Sequence, residues 1–214
     1  VSNMFDPSTY TAGTYTLTYT IDLPPCIPVT ADVIVTINPI VDAGSNGTHT
    51  VCEGEPTFNL FNYLTGSPDP GGNWTDVSSN PVSNMFDPST SGSGAFVFTY
   101  TVLGTPPCID ATATVTITVD PLPTVIISGT TTITQGMSTP IDFTFTGSAP
   151  FTVIYDDGTG PITSPSFNST TGTVPVTPNT TTTYNLVSVT DNNGCTSTAI
   201  GAITITVNQL PTVT

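Results

Sequence analysis

The sequence predicts an all-β protein made of tandem sandwich domains, and three observations carry that prediction. Threonine fills about a fifth of the chain, alongside abundant Val, Ile, Tyr and Phe, which is the composition of strands. Apolar residues alternate with threonine at a period of two in one segment after another, as half-buried strands require. Residues 1–9 read VSNMFDPST and residues 82–90 read VSNMFDPST again, so the chain contains an internal repeat. The 21 prolines and 18 glycines fall between the alternating segments at turn spacing, and no helical i, i+3, i+4 stripe of useful length occurs.

The repeat extends beyond the nine identical residues. Tyr15-Thr-Leu-Thr-Tyr19-Thr aligns with Phe96-Val-Phe-Thr-Tyr100-Thr, Pro24-Pro-Cys26-Ile with Pro106-Pro-Cys108-Ile, and Ala31 to Ile37 with Ala113 to Val119. A third, related ending runs from Ala202 through Val207 to Pro211. Unit ends near residues 38, 120 and 208 divide the chain into 1–38, the second half of a unit; 39–121, a complete unit of the same type; 122–208, a unit of a second type; and 209–214, a linker or the start of another unit. This phasing leads us to expect a piece of a longer array, or a half-unit at 1–38 that a strand from a neighbouring molecule completes.

Each unit has its own strand signals. Residues 14–22 alternate Tyr15, Leu17, Tyr19 and Ile21 against threonines, and residues 32–37 place Val33, Val35 and Ile37 on one face. In the second unit the strongest strands are 95–103 and 111–119, joined by the Thr105-Pro-Pro-Cys108 turn; a short strand is expected at 48–52, and 58–64 reads as a strand or one irregular turn with a hydrophobic side. Ser67-Pro-Asp-Pro-Gly-Gly72 is a turn cluster, and Trp74, the single tryptophan, reads as core. The third unit reads as seven strands, at 124–128, 131–134, 141–146, 151–155, 173–177, 182–190 and 199–207, with turns about every ten residues.

The third unit also carries a family resemblance. Gly147-Ser-Ala-Pro-Phe-Thr-Val-Ile-Tyr-Asp-Asp-Gly158, followed by Thr180-Thr-Thr-Thr-Tyr-Asn-Leu-Val-Ser-Val-Thr-Asp-Asn-Asn-Gly-Cys195, resembles the Ig-like and PKD-like repeats of very large secreted surface proteins of Bacteroidota, gliding-motility adhesins among them. The resemblance spans the third unit, and the second is similar in style through its Val-Cys-Glu-Gly opening and Pro-Pro-Cys hairpin. It implies tandem Ig-like β-sandwiches in an extracellular, cell-surface setting, and it specifies no ligand.

Charge narrows the partners. The chain has no Lys or Arg, 15 acidic residues and one His, for a net charge of −15. Phosphate neutralisation needs basic side chains, so nucleic acid and anionic membrane surfaces are excluded as direct partners. No apolar run is long enough to span a bilayer. No cofactor is implied, and calcium, which prefers oxygen ligands, is the cation this composition suits. Its candidate ligands are Asp156 and Asp157, helped by a linker carboxylate such as Asp120 or Asp191; the competing reading makes Asp156-Asp157-Gly158 a hairpin turn.

Four cysteines suit an oxidising compartment. Cys52 and Cys108 fall in one unit and are expected to bridge an early strand to the last hairpin. Cys26 matches Cys108 by repeat, and Cys195 has no mate in its own unit, which leaves a lone thiol, a Cys26–Cys195 link or a link between molecules. Asn46, Asn73, Asn168 and Asn179 fit the N-glycosylation triplet. His49 reads as a solvated strand residue, and one histidine without an evident nucleophile and acid is a poor start for catalysis, so no enzyme is expected. The sequence therefore reads as a structural segment of an extracellular fibre or giant adhesin, whose partners are copies of itself or neighbouring repeats. The rival reading is a module binding surface glycans through Trp74 or the loop at 156–160.

Overall fold

The computed structural model describes residues 4–211, and its regular secondary structure is almost wholly strand, with seventeen strands among the described residues. Two compact units make up the chain. The first comprises Val1–His49, Phe58–Phe86 and Phe96–Ile117, and the second Thr50–Thr57, Asp87–Ala95 and Thr118–Thr214.

The first unit opens with a hairpin. Strands β1 (Gly13–Ile21) and β2 (Val29–Ile37) pair antiparallel along their whole length, from Gly13 opposite Ile37 to Ile21 opposite Val29. This register gathers Tyr15, Leu17, Tyr19 and Ile21 on one face with Val29, Ala31, Val33, Val35 and Ile37, and leaves threonines, with Asp32 and Ile34, on the other. The two strands form a sheet of their own.

The next strands are β3 (Gly47–Cys52), β4 (Phe58–Asn59), β5 (Asn73–Thr75) and β6 (Met85–Phe86). After the one-turn helix α1 (Pro88–Ser91) come β7 (Gly94–Val102) and β8 (Ala111–Asp120). Four of them form a sheet in the order β3-β8-β7-β5, and β4 pairs with β6 beside it. Along β8 every second side chain, Ala113, Val115, Ile117 and Val119, is buried, while the threonines between them are half-exposed. Leu60, Leu64, Trp74, Phe86, Phe98 and Tyr100 are buried as well. A 3-10 turn, Leu60–Tyr63, connects the small strands, and the Asn59 side chain caps it by accepting from the Phe61 N–H at 3.0 Å.

The sequence repeat is a structural repeat. Asp6 accepts from the Ser8 N–H at 3.0 Å and the Ser8 hydroxyl at 2.7 Å; Asp87 does the same with Ser89 at 3.0 and 2.6 Å. The turns that follow the hairpins' first strands close alike: the Cys26 N–H donates to the Leu23 carbonyl and the Cys108 N–H to the Thr105 carbonyl, both at 2.9 Å. Asp and Pro fix these shapes, because Asp offers an acceptor two residues ahead and Pro fits the first helical position. The part of the nine-residue match at residues 1–3 lies outside the described residues.

The second unit contains a complete sandwich. Strands β9 (Thr124–Gly129), β11 (Thr139–Thr146) and β14 (Thr171–Val176) make one sheet, in the order β14-β11-β9. The other sheet runs β10 (Thr132–Thr134), β17 (Ala202–Asn208), β15 (Thr182–Thr190), β12 (Thr152–Asp156), β13 (Pro161–Thr163), with β16 (Thr196–Thr198) added to β15. The β10–β17 pair is parallel and the other pairs are antiparallel. A first strand that divides between both sheets and meets the last strand in parallel is an immunoglobulin-like arrangement. Phe143, Phe145, Phe151, Tyr155 and Phe167 pack with Ile141, Val153, Val189 and Ile205 between the sheets. The seven expected strands are all present; β13 and β16, three residues each, carry too little alternation to read from sequence.

Candidate functional site

The cysteines depart from the expected pairing. Cys52 is bonded to Cys195, with Cα atoms 5.6 Å apart and a sequence separation of 143, while Cys108 and Cys26 are free thiols. The reason is strand direction. The Glu53 N–H donates to the Asp120 carbonyl at 2.9 Å, which places Cys52 beside the last residue of β8. Cys108 precedes the first residue of that strand, and ten residues of strand, about 33 Å, lie between the two ends. A 52–108 bridge is therefore out of reach. Cys52 and Cys195 both lie in the second compact unit, which takes in Thr50–Thr57 and Thr118–Thr214.

Asp191 shapes the loop that presents Cys195. It is a buried carboxylate, one oxygen accepting from the Asn193 N–H at 3.0 Å and the Cys195 N–H at 3.1 Å, the other from the Ser148 N–H at 3.3 Å. The Ser197 hydroxyl donates to the Pro123 carbonyl nearby. Asp191 is thus engaged by three backbone N–H groups. Its spacing, Asp191-Asn-Asn-Gly-Cys195, was a readable signal, since Asp four residues ahead of the cysteine can hold the intervening turn.

Asp156 and Asp157 are likewise taken up by their own hairpin. Asp156 accepts from the Gly158 and Gly160 N–H groups at 2.7 and 3.2 Å, and Asp157 from the Thr159 hydroxyl and N–H at 2.6 and 3.0 Å. The Thr159 hydroxyl, with its N–H behind it, lowers the Asp157 pKa below the ordinary carboxylate value. Among the described residues no three His, Cys, Asp or Glu side chains gather as a metal site requires. Burial raises the Tyr155 and Tyr184 pKa values above that of free tyrosine, and the Asp157 charge adds to both.

Trp74 is only 6 % exposed, with its ring centroid 5.0 Å from that of Tyr100. Tyr100 anchors the turn cluster expected at 67–72: its hydroxyl donates to the Asp69 carbonyl at 2.7 Å and accepts from the Gly72 N–H at 2.8 Å. Gly72 is required there, because a Cβ would lie 2.6 Å from the Tyr100 ring. A shallow groove of about 430 Å³ runs over these residues, with Asn59, Asn73 and Asn84 among its lining. His49, expected in solvent, is half-buried and stacks on Tyr63 at 4.1 Å, with Phe58 edge-on at 5.4 Å. The strand pattern hid this, because the ring's partners come from the two-residue strand β4 and the 3-10 turn that follows it.

All four glycosylation-type asparagines, Asn46, Asn73, Asn168 and Asn179, are exposed. Asn46 has a further task the sequence did not show, accepting from the Thr114 N–H at 2.8 Å and so clasping β8. Asn38, in the segment after β2, donates to the Thr105 and Pro106 carbonyls at 3.3 and 3.0 Å. Among the described residues no helix is long and apolar enough to cross a membrane.

No protein-family model matches the chain, and no curated protein matches it. Solved structures of similar fold include the I-band fragment I67-I69 of titin, at 11 % identity and a TM-score of 0.44, covering 94 % of this chain and 75 % of that one. Extracellular domains 3–5 of Drosophila OTK are similar at 13 % identity and 0.42, covering 94 % and 72 %. A 1.5-MDa bacterial ice-binding adhesin is similar at 16 % identity and 0.38, covering 95 % and 77 %. At TM-scores below 0.5 this likeness carries no argument; the immunoglobulin-like description rests on the sheet pairings given above. The chain is a tandem β-sandwich protein of immunoglobulin-like kind.

Proposed function

We propose that this chain is a structural segment of an extracellular bacterial fibre or giant surface adhesin, in which its repeats act as a spacer or assemble as a filament. The observation that carries the reading is the Cys52–Cys195 bridge, which joins a strand end of the 39–121 repeat to the last hairpin of the 122–208 repeat. A spacer under tension gains from such a tie, because 143 residues are removed from the length that pulling can extract. Two further features support it. Trp74 and Tyr100 hold a turn together rather than face solvent, and the acidic loops are closed on themselves. The charge of −15 keeps neighbouring fibres apart and makes divalent cations their natural counter-ions, while the exposed asparagines leave room for glycans. The Bacteroidota surface proteins that the third unit resembles supply the setting.

The test is electron microscopy of the native assembly at a resolution that traces the chain. The reading expects sandwiches in series along a filament or string at the cell surface, and a compact particle without serial repeats would overturn it. One observation favours a second reading, a glycan-binding module: the groove over Trp74 and Tyr100 has asparagine amides along its lining. Glycan-array binding that is lost in Asn73→Ala and Asn84→Ala would support that reading.

A further inference from the structure

The two sulfurs of the Cys52–Cys195 bridge stand in unequal surroundings. Cys195 is fully buried, and its loop is held by the Asp191 carboxylate, which accepts from the Cys195 and Asn193 N–H groups at 3.1 and 3.0 Å. Cys52 is half-buried at the end of β3 and forms part of the wall of an open pocket of about 450 Å³. A tight turn follows it: the Glu55 N–H donates to the Cys52 carbonyl at 3.3 Å, and Gly54 takes a φ of 83°, which glycine adopts readily. Glu53 and Glu55 from this turn line the same pocket, with Gly194 and Thr196 from either side of Cys195. All of these residues belong to the second compact unit.

Thiol–disulfide exchange is an in-line attack by a thiolate on one sulfur, and access and leaving group together decide which sulfur it is. The two criteria disagree here. A thiolate released at Cys52 meets water, whereas one released at Cys195 is left in a buried loop, so the leaving group favours attack at Cys195. Access forbids that attack. Cys195 has no exposed surface and can be approached only after its loop opens, and three N–H bonds to Asp191 hold the loop shut. Access wins, because a poor leaving group slows an attack while a missing approach path prevents it. Charge then selects the thiol. The pocket beside Cys52 carries the Glu53 and Glu55 side chains, and the chain has no Lys or Arg to offset them. The pocket lies within a screening length of about 8 Å, so a thiol with a second negative charge is repelled and one with a positive charge is drawn in.

We propose that Cys52 is a site of reversible S-thiolation by small thiols that carry no negative charge besides the sulfur. The incoming thiolate bonds to Cys52 Sγ, the Cys52–Cys195 bond breaks, and its electron pair leaves on Cys195 Sγ, which takes a proton from water. One disulfide replaces another, so no oxidant or reductant is consumed. The Asp191-held loop keeps the freed Cys195 sulfur next to Cys52, and its return attack on Cys52 Sγ restores the bridge and expels the small thiol. The proposal stands on the bridge and its surroundings, and it holds for a spacer and for a glycan-binding module alike.

The test uses the full oxidised chain carrying Cys26→Ser and Cys108→Ser, so that the bridge is the one place where exchange occurs. Three probes differ in charge: cysteamine is cationic, 2-mercaptoethanol neutral and 2-mercaptoethanesulfonate anionic. Each rate is divided by the thiolate concentration and by the rate of the same thiol with a small uncharged disulfide. Samples are stopped in acid at early times and digested with pepsin, and mass spectrometry locates the adduct. The proposal expects the adduct on Cys52 with Cys195 as the free thiol, and a normalised rate about tenfold higher for cysteamine than for the sulfonate at low salt. It expects Glu53→Gln/Glu55→Gln to shrink that ratio to about threefold. An adduct chiefly on Cys195 overturns the proposal, and so does a normalised rate that ignores charge or a ratio that the glutamine variant leaves unchanged. A rate that stops rising with thiol concentration overturns it too, because exchange would then wait on opening of the Cys195 loop. None of these results bears on the spacer reading, which is read by microscopy and by pulling.

Discussion

Tyr100 and Tyr19 are the same residue of a repeat in two environments, and they give a matched pair of substitutions. Tyr100→Phe removes a hydroxyl that donates to the Asp69 carbonyl and accepts from the Gly72 N–H. Both groups are half-buried in the turn, so each is left partly desolvated without a partner. A stranded buried group costs about 1–3 kcal/mol, and partial access of water places the total for the two at about 2 kcal/mol. With a urea dependence of about 2 kcal/mol per molar, the unfolding midpoint falls by about 1 M. The assay is equilibrium urea unfolding followed by tryptophan emission, which reports this region directly because Trp74 lies against Tyr100. Tyr19→Phe is the control: its ring is largely exposed, and its expected effect is within about 0.5 kcal/mol. A Tyr100→Phe shift below about 0.3 M, or equal shifts for the two variants, would refute the claim that the turn is locked through this hydroxyl.

Other expectations follow from the same structure. Cys52→Ser/Cys195→Ser opens a closed loop of 143 residues, worth about 5 kcal/mol in the chain-entropy model, and calorimetry should show a melting temperature lower by about 10–20 °C. Asp191→Ala leaves three backbone N–H groups without their charged acceptor; it should destabilise by about 3 kcal/mol in denaturant and speed reduction of the bridge by a small thiol. At high pH, Tyr155 and Tyr184 have folded pKa values above that of free tyrosine. Their contribution is therefore complete below about pH 10 and is lost as pH rises through the raised values, so an alkaline titration should show late tyrosinate absorbance that coincides with unfolding.

Much of the fold was legible because strand alternation and turn chemistry are local. The seven strands of the third unit, the 95–103 and 111–119 hairpin, and the burial of Trp74 follow from period two and from Gly/Pro punctuation. The nine-residue identity located the repeat, and Asp6 and Asp87 fold their turns alike because the cap is encoded within three residues. What the sequence hid was non-local. The mate of Cys52 depends on which end of β8 it adjoins, and that is fixed by the sheet order β3-β8-β7-β5, which periodicity does not contain. His49 was misplaced for a similar reason, since Tyr63 and Phe58 reach it from a 3-10 turn and a two-residue strand. Asp156 and Asp157 read first as a hairpin turn and second as calcium ligands, and the positions of the neighbouring N–H groups show the turn hydrogen bonds they make; the turn held by Asp191 was not read from the sequence.

Single-molecule pulling of the chain from its two ends, with and without a reductant, tests the central claim most directly. A spacer tied through Cys52 and Cys195 keeps 143 residues out of the extended length. At about 3.3–3.6 Å per residue, reduction should therefore release about 50 nm of additional contour length. The account predicts short extension in oxidising buffer and that increment when the bridge is reduced; the same full extension in both buffers would contradict it.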